Sequence, residues 1–189
     1  MITAALSGGF IDAPVQSARA FRAILEAMAR PGTIHPVDGA AAPEPLSVAA
    51  SVALLTLADG TTPVHLAGGA NSALVRDWIA FHIGAPLVAA EAADFAVGTW
   101  QDLQPVTRFR IGQPDYPDRS ATLIVEVDRL VNHGPALTGP GIALATWLSL
   151  PETEAFHANR ALFPLGFDCL FTCANRLAGL PRSTKVEKL

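Results

Sequence analysis

The sequence predicts an α/β protein: a single domain built as a mixed-sheet sandwich, with helices on both faces. Three observations lead there. In the first half, segments with apolar residues at helical spacing alternate with short apolar runs, as expected for strands covered by helices. In the second half, strand-like runs separated by turn clusters dominate, which a mixed sheet accommodates. The chain has 189 residues, enough for one well-filled core and not comfortably enough for two. Residues 1–189 are therefore read as one domain, with flexible ends at about 1–9 and 186–189.

The first element, "PVQSARAFRAILEAMARPG", is a helix with Ala18, Phe21, Leu25 and Met28 at core spacing and Pro31-Gly32 as its stop. Its opposite side carries Arg19, Arg22, Glu26 and Arg30, where Glu26 has a partner one turn behind and one turn ahead. That side is either a solvated, salt-bridged face or a surface that docks an acidic partner or ligand. "EPLSVAASVALLTLADG" gives a second helix, with Val48, Val52 and Leu55 on one side and Asp59-Gly60 ending it. "PVHLA" is a short strand. "GGANSALVRDWIAFHIG" is a third helix, capped by Asn71 or Ser72, with Leu74, Val75, Trp78, Ile79 and Phe81 or His82 toward the core and Gly84 at its end.

"APLV" and "DFAVG" are the next expected strands, followed by "TRFRIG", "ATLIVEVDRL" and "PALTGPGIAL", with "QPDYPDRS" as a long loop. "PETEAFHANRAL" is a helix starting near Thr153, with acidic residues in its first turn. The remainder, "FPLGFDCLFTCANRLAGLPRSTKVE", reads as a hairpin. Its alternation sends Phe167, Cys169, Phe171 and Cys173 to one face, and Asp168, Leu170 and Thr172 to the other.

Composition narrows the chemistry. Half the residues are apolar and the formal net charge is −4. That is more hydrophobic content than a lone domain of this size needs, and the surplus suits a covered interface. A net negative chain with no lysine-rich face is a poor fit to nucleic acid. The longest apolar stretch, Val48 to Ala58, is far short of the ~20 residues of a spanning helix. The N-terminus has neither a basic region nor a sustained apolar run, so no secretory signal is expected and the compartment is read as the cytoplasm. Cys169 and Cys173 on an extended segment stand roughly 13 Å apart, beyond disulfide reach, and are read as reduced core thiols.

Lys185 and Lys188 are the only lysines in the chain. A Schiff-base lysine must be desolvated in a pocket, so covalent pyridoxal phosphate chemistry is not expected from residues this close to the terminus. "GPALTGPG" has the glycine separation of a P-loop, but Pro140 stands where the lysine belongs. What survives is a turn whose Gly139 and Gly141 either take unusual φ angles or turn backbone amides toward an anion. "HLAGGANSAL" is a second candidate cradle at a helix start, without the dinucleotide fingerprint. His35, His65, His82, His133 and His157 have no metal-binding spacing, and the two cysteines lack a second pair, so no metal is expected. No G-x-S-x-G elbow is present.

Four segments together, "FRAILEAMARPG", "LTGPGI", "FPLGFDCLFTC" and "LPRSTKVE", lie in this order, with "SVALLTLADGTTPV" and "FHIGAPLV" between the first two. From Phe10 to Glu187 the chain resembles the PhnH family, the H subunit of the carbon-phosphorus lyase system. The resemblance implies a bacterial cytoplasmic protein of phosphonate use, a homodimer that joins the G, I and J subunits in a core complex. It also implies a fold similar to pyridoxal-phosphate-dependent transferases, without that cofactor. In the family, G, H and I with a further component attach a phosphonate to the ribose of ATP with loss of adenine, giving a ribose 1-phosphonate triphosphate. The nucleosidase activity is placed with I, and radical cleavage of the carbon-phosphorus bond with the iron-sulfur subunit J.

By that resemblance the chain is a noncatalytic or accessory subunit with no cofactor of its own. The alternative is an enzyme half-site contributing Arg182, Ser183, Thr184 and the Gly139/Gly141 turn to a phosphonate or nucleotide pocket. Arg182 either grips a phosphate-type oxygen or ties the hairpin to a carboxylate such as Asp168. Ser183 stands where the family more often has threonine, which keeps the hydroxyl. From Lys185 onward the chain is expected to become progressively freer. Arg19, Arg22 and Arg30 are the candidate partner-binding residues.

Overall fold

A computed structural model describes residues 6–187. Its main sheet has six strands in the order β1 (His35–Pro36), β10 (Arg176–Leu180), β9 (Asp168–Cys173), β6 (Thr122–Glu126), β3 (Phe95–Thr99) and β2 (Val64–Leu66). The four strands β2, β3, β6 and β9 run parallel, with Phe95 opposite Thr122 and Thr122 opposite Asp168. β10 and β1 close the sheet antiparallel. The mixed sheet and four helices match the expected α/β class.

Both faces of the sheet are buried, and strand alternation divides the side chains between two cores. Val64, Leu66, Val97, Ile124, Leu170 and Leu177 face the first core, together with α1 (Ala13–Ala29), α2 (Val48–Leu57) and α3 (Ala73–His82). Ala96, Leu123, Val125, Cys169, Phe171 and Ala178 face the second, which α4 (Glu154–Ala161) covers. A three-stranded sheet helps to cover it, in the order β11 (Lys185–Val186), β7 (Ala136–Thr138) and β8 (Thr146–Trp147). The Phe167/Cys169/Phe171 face is as the alternation predicts. Burial pushes the Cys169 thiol well above its ordinary range, with the neighbouring Asp168 charge adding to it. Both cysteines are free thiols.

The helices depart from the expected faces. In α1 the buried residues are Ala20, Ile24 and Ala27, while Ala18, Phe21 and Leu25 face outward. The reason is close approach. A Cβ on Gly179 of β10 would run into the Ala27 carbonyl, so the helix backbone lies close on the strand along the face that carries Ala20, Ile24 and Ala27. Glu26 pairs with Arg30 at 3.5 Å. In α2 burial runs all round from Ala49 to Leu54, because the helix is covered by α1 on one side and the sheet on the other. Ser47 caps it, accepting the Ala50 N–H at 3.1 Å. In α3 the Ser72 hydroxyl accepts the Val75 N–H, and Val75, Trp78 and Ile79 are buried, but Leu74 and Phe81 are exposed. Gly84, at φ 72°, ends the helix by donating to the Ile79 carbonyl.

Three strand expectations are corrected. "APLV" makes only a single bridge, Leu87 to Val64. "TRFRIG" begins in a 3₁₀ turn (Val106–Arg108) and joins strand β4 (Ile111–Gln113) only at its end. The expected loop "QPDYPDRS" forms β5 (Tyr116–Ser120), paired with β4 across a bulge at Gly112, whose φ is 83°.

Both ends of the described residues make contacts with the rest of the fold. β11 pairs with β7, Val186 is buried, and the Glu187 N–H donates to the Ala136 carbonyl at 2.8 Å. At the other end, the Ser7 carbonyl accepts the Trp78 indole N–H at 3.1 Å, and the Gly8 carbonyl accepts the Ala41 N–H at 2.8 Å. Residues 1–5 and 188–189, including Lys188, lie outside the described residues. No helix among the described residues is long and apolar enough to cross a membrane.

Candidate functional site

Arg182 sits where the LPRST segment leaves β10 and turns, the Thr184 N–H donating to the Pro181 carbonyl. Its backbone N–H and Nε both donate to Asp168 Oδ1, at 2.7 and 3.1 Å, and Nη2 reaches Oδ2 at 2.5 Å. Nη1 donates to the Pro117 carbonyl at 2.6 Å, and Nη2 also to the Ser120 hydroxyl. One guanidinium thus joins the start of β9, the length of β5 and the final turn. A Cβ on Gly139, whose φ is 130°, would meet the Ser183–Thr184 backbone, so the TGPG turn and the LPRST turn lie side by side. Gly141 lies instead against the Ala29 carbonyl at the end of α1, where any Cβ would collide.

The Thr184 hydroxyl is buried with no hydrogen-bond partner. It borders an internal space of about 10 Å³ together with Arg182, Asn159 and Cys169, room for a single water. All of these residues cluster at the amino ends of the parallel strands. Ligands of open α/β sheets usually sit outside the opposite, carboxyl ends.

At the carboxyl ends a larger cleft opens, about 500 Å³, bordered by Thr99, Trp100, Glu126, Asp128, Arg129 and Ser149 among others. Glu126 ends β6 on its floor. Its carboxylate accepts the Ser47 N–H at 2.7 Å and the Thr172 hydroxyl at 2.9 Å. Burial still outweighs these bonds and raises its pKa above the ordinary 4.5. Sequence reasoning passed over Glu126. Its signal was there in "TLIVEV", an acidic residue where a buried parallel strand meets the carboxyl edge.

The second candidate cradle, AGGANS, is filled by the protein itself. Gly68 faces the Asp102 carboxylate, which also accepts the Thr99 hydroxyl at 2.8 Å. Arg19, Arg22 and Arg30 all lie on the solvent side of α1 and do not converge with Arg182. Arg19 and Arg22 border an open depression with Pro14, Val15 and Ala18. Among the described residues no group of three His, Cys, Asp or Glu side chains is placed to hold a metal ion.

The chain is 37% identical over 191 residues, 96% of each protein, to a Rhizobium meliloti (strain 1021) protein named alpha-D-ribose 1-methylphosphonate 5-triphosphate synthase subunit PhnH. It is 31% identical over 180 residues, 89% of this chain and 84% of the relative, to a putative C-P lyase subunit protein HtxG of Stutzerimonas stutzeri. The family model described as bacterial phosphonate metabolism protein (PhnH) matches residues 8–187, which takes in every element of both cores. The chain belongs to the PhnH family of bacterial phosphonate metabolism proteins.

Proposed function

We propose that this protein is an accessory subunit of a cytoplasmic carbon-phosphorus lyase core complex, required for making ribose 1-phosphonate triphosphate from ATP and an alkylphosphonate. The observation that carries the reading is the whole-length relation to a synthase subunit. In this reading the protein forms a homodimer and associates with the G, I and J subunits, and the catalytic groups belong to those partners. Its kinship to pyridoxal-phosphate-dependent transferases is supported by the parallel centre of the sheet with helices on both faces.

The surface supports a subunit role. On α1, Val15, Phe21 and Leu25 are exposed, and Ile11 precedes them. Beyond the end of that helix, joined to it through Gly141, the loop containing Leu144 is also uncovered, Leu144 being 90% exposed. Apolar side chains exposed along one helix in this number suit a surface that is covered in an assembly. Arg19, Arg22 and Arg30 flank the stripe and suit a partner that presents carboxylates. The test is assembly: co-expressed with the G, I and J subunits, the chain enters their complex.

A half-site reading has one observation in its favour, the buried unpartnered hydroxyl of Thr184 beside Gly139. Against it, Arg182 spends Nε, Nη1 and Nη2 on protein acceptors. We therefore read Arg182 and Asp168 as a clasp.

A further inference from the structure

Most arginines with a resolved interaction answer to a protein oxygen. Arg30, Arg110 and Arg182 pair with carboxylates, while Arg76 and Arg108 donate to an amide and a backbone carbonyl. Arg160 does not. Its guanidinium carbon lies 4.6 Å from the centre of the Phe163 ring, and its Nε is buried without a hydrogen-bond partner. Stacking fixes the plane of the group but leaves its donors unspent, and an unpaired buried N–H is costly.

His157 lies one turn earlier, on the same side of α4. Its Nε2 is 2.7 Å from the Val186 carbonyl, an oxygen that can only accept, so Nε2 carries a proton; Nδ1 then accepts the proton of a hydrogenphosphate or hydrogenphosphonate hydroxyl, or donates to an oxyanion when the ring is doubly protonated. Across from α4 runs β11, whose Lys185 has an exposed side chain with no ion pair among the described residues. His157, Arg160, Lys185, Val186 and Glu187 line one cleft of about 280 Å³. Glu187 is the single carboxylate there, and its Oε1 already accepts the Thr138 hydroxyl at 3.0 Å. Two fixed cations and a histidine therefore share a small open cleft on a chain whose net charge is −4.

We propose that this cleft between α4 and β11 binds a small tetrahedral oxyanion, a phosphate or phosphonate group, through Arg160, Lys185 and His157. A guanidinium fork takes two oxygens of such a group, while an ammonium and an imidazole approach from other directions. A carboxylate offers two oxygens in one plane, so three groups approaching from different directions suit a tetrahedral group, with its third, out-of-plane oxygen, better.

The experiment is a titration of the intact protein with inorganic phosphate, methylphosphonate and acetate. It follows the His157 ring signals by NMR, assigned through His157→Gln. Phosphate and methylphosphonate give a saturable shift that acetate does not reproduce. Arg160→Gln and Lys185→Gln each weaken it by about tenfold, and Thr184→Val leaves it unchanged. Lys185 is exposed on a strand held by its backbone, so Lys185→Gln keeps an unchanged Tm and remains informative if Arg160→Gln fails to fold. No saturable shift, an equal response to acetate, or loss in Thr184→Val but not in Lys185→Gln would each overturn the proposal. The titration needs no partner subunit, so its failure leaves the subunit reading standing.

Discussion

Arg182 and Asp168 show how a residue pair chosen for its chemistry can be consumed by structure. Their side chains are only 12% and 18% exposed, and the same carboxylate also receives a backbone N–H. Removing one partner strands the other in a poorly solvated place, at a cost of about 3–5 kcal/mol. Arg182→Ala and Asp168→Ala are therefore expected to lower stability by that amount in denaturant unfolding. Arg182→Lys does little better, since an ammonium cannot make the forked contact. Arg182→Ala with unchanged stability but lost methylphosphonate binding would instead favour the half-site. Glu126 behaves in the opposite sense. Its folded pKa lies above the unfolded one, so the native state holds a proton that the unfolded state has released. Its favourable contribution is full below the ordinary 4.5 and is lost as pH rises through the raised folded value. Wild type should therefore lose stability relative to Glu126→Gln across that interval, read from unfolding curves at stepped pH.

Helix α1 is the element where sequence pattern and packing part company. Its length and stop were legible, since Pro31-Gly32 follows a clear helical period. Its face was not. Phe21 and Leu25 have the spacing of a core stripe, but the helix turns Ala20, Ile24 and Ala27 inward, its backbone close against Gly179. Periodicity cannot show which of two apolar stripes meets the sheet and which is left exposed. The hairpin β9–β10 was legible because a strand has only two faces, and Cys169, Phe171 and Leu170 fall as alternation requires. β11 was missed because its pairing with β7 depends on residues about fifty positions away. The candidate residues were legible in type and only partly in role. "LPRST" marked a turn packed on ordered structure, but Ser120 and the Pro117 carbonyl, which claim the guanidinium, lie in a segment read as loop. The two stripes of α1 give a direct contrast. Ile24→Ala should cost about 2–5 kcal/mol, the usual range for emptying a core site. Phe21→Ser with Leu25→Ser should move stability by about 0.5 kcal/mol or less in the isolated chain, as exposed positions do, while weakening association with its partners.

At the scale of the molecule, a sheet covered on both faces leaves little of the chain's apolar content unused by its own cores. Those left exposed include Val15, Phe21 and Leu25 on α1 and Leu144 after β7, with others on α3 (Leu74, Phe81) and just after α4 (Leu162, Phe163). On the proposed reading, the α1 surface and its flanking arginines meet a partner subunit in the assembly of this net acidic chain. The family relation says in what kind of assembly to look. The decisive measurement is native mass spectrometry of the protein alone and after co-expression with the G, I and J subunits. A homodimer alone that becomes part of a stable larger complex is the expected result. Assembly of the other three subunits without this chain, under conditions where it is folded and abundant, would contradict the subunit reading.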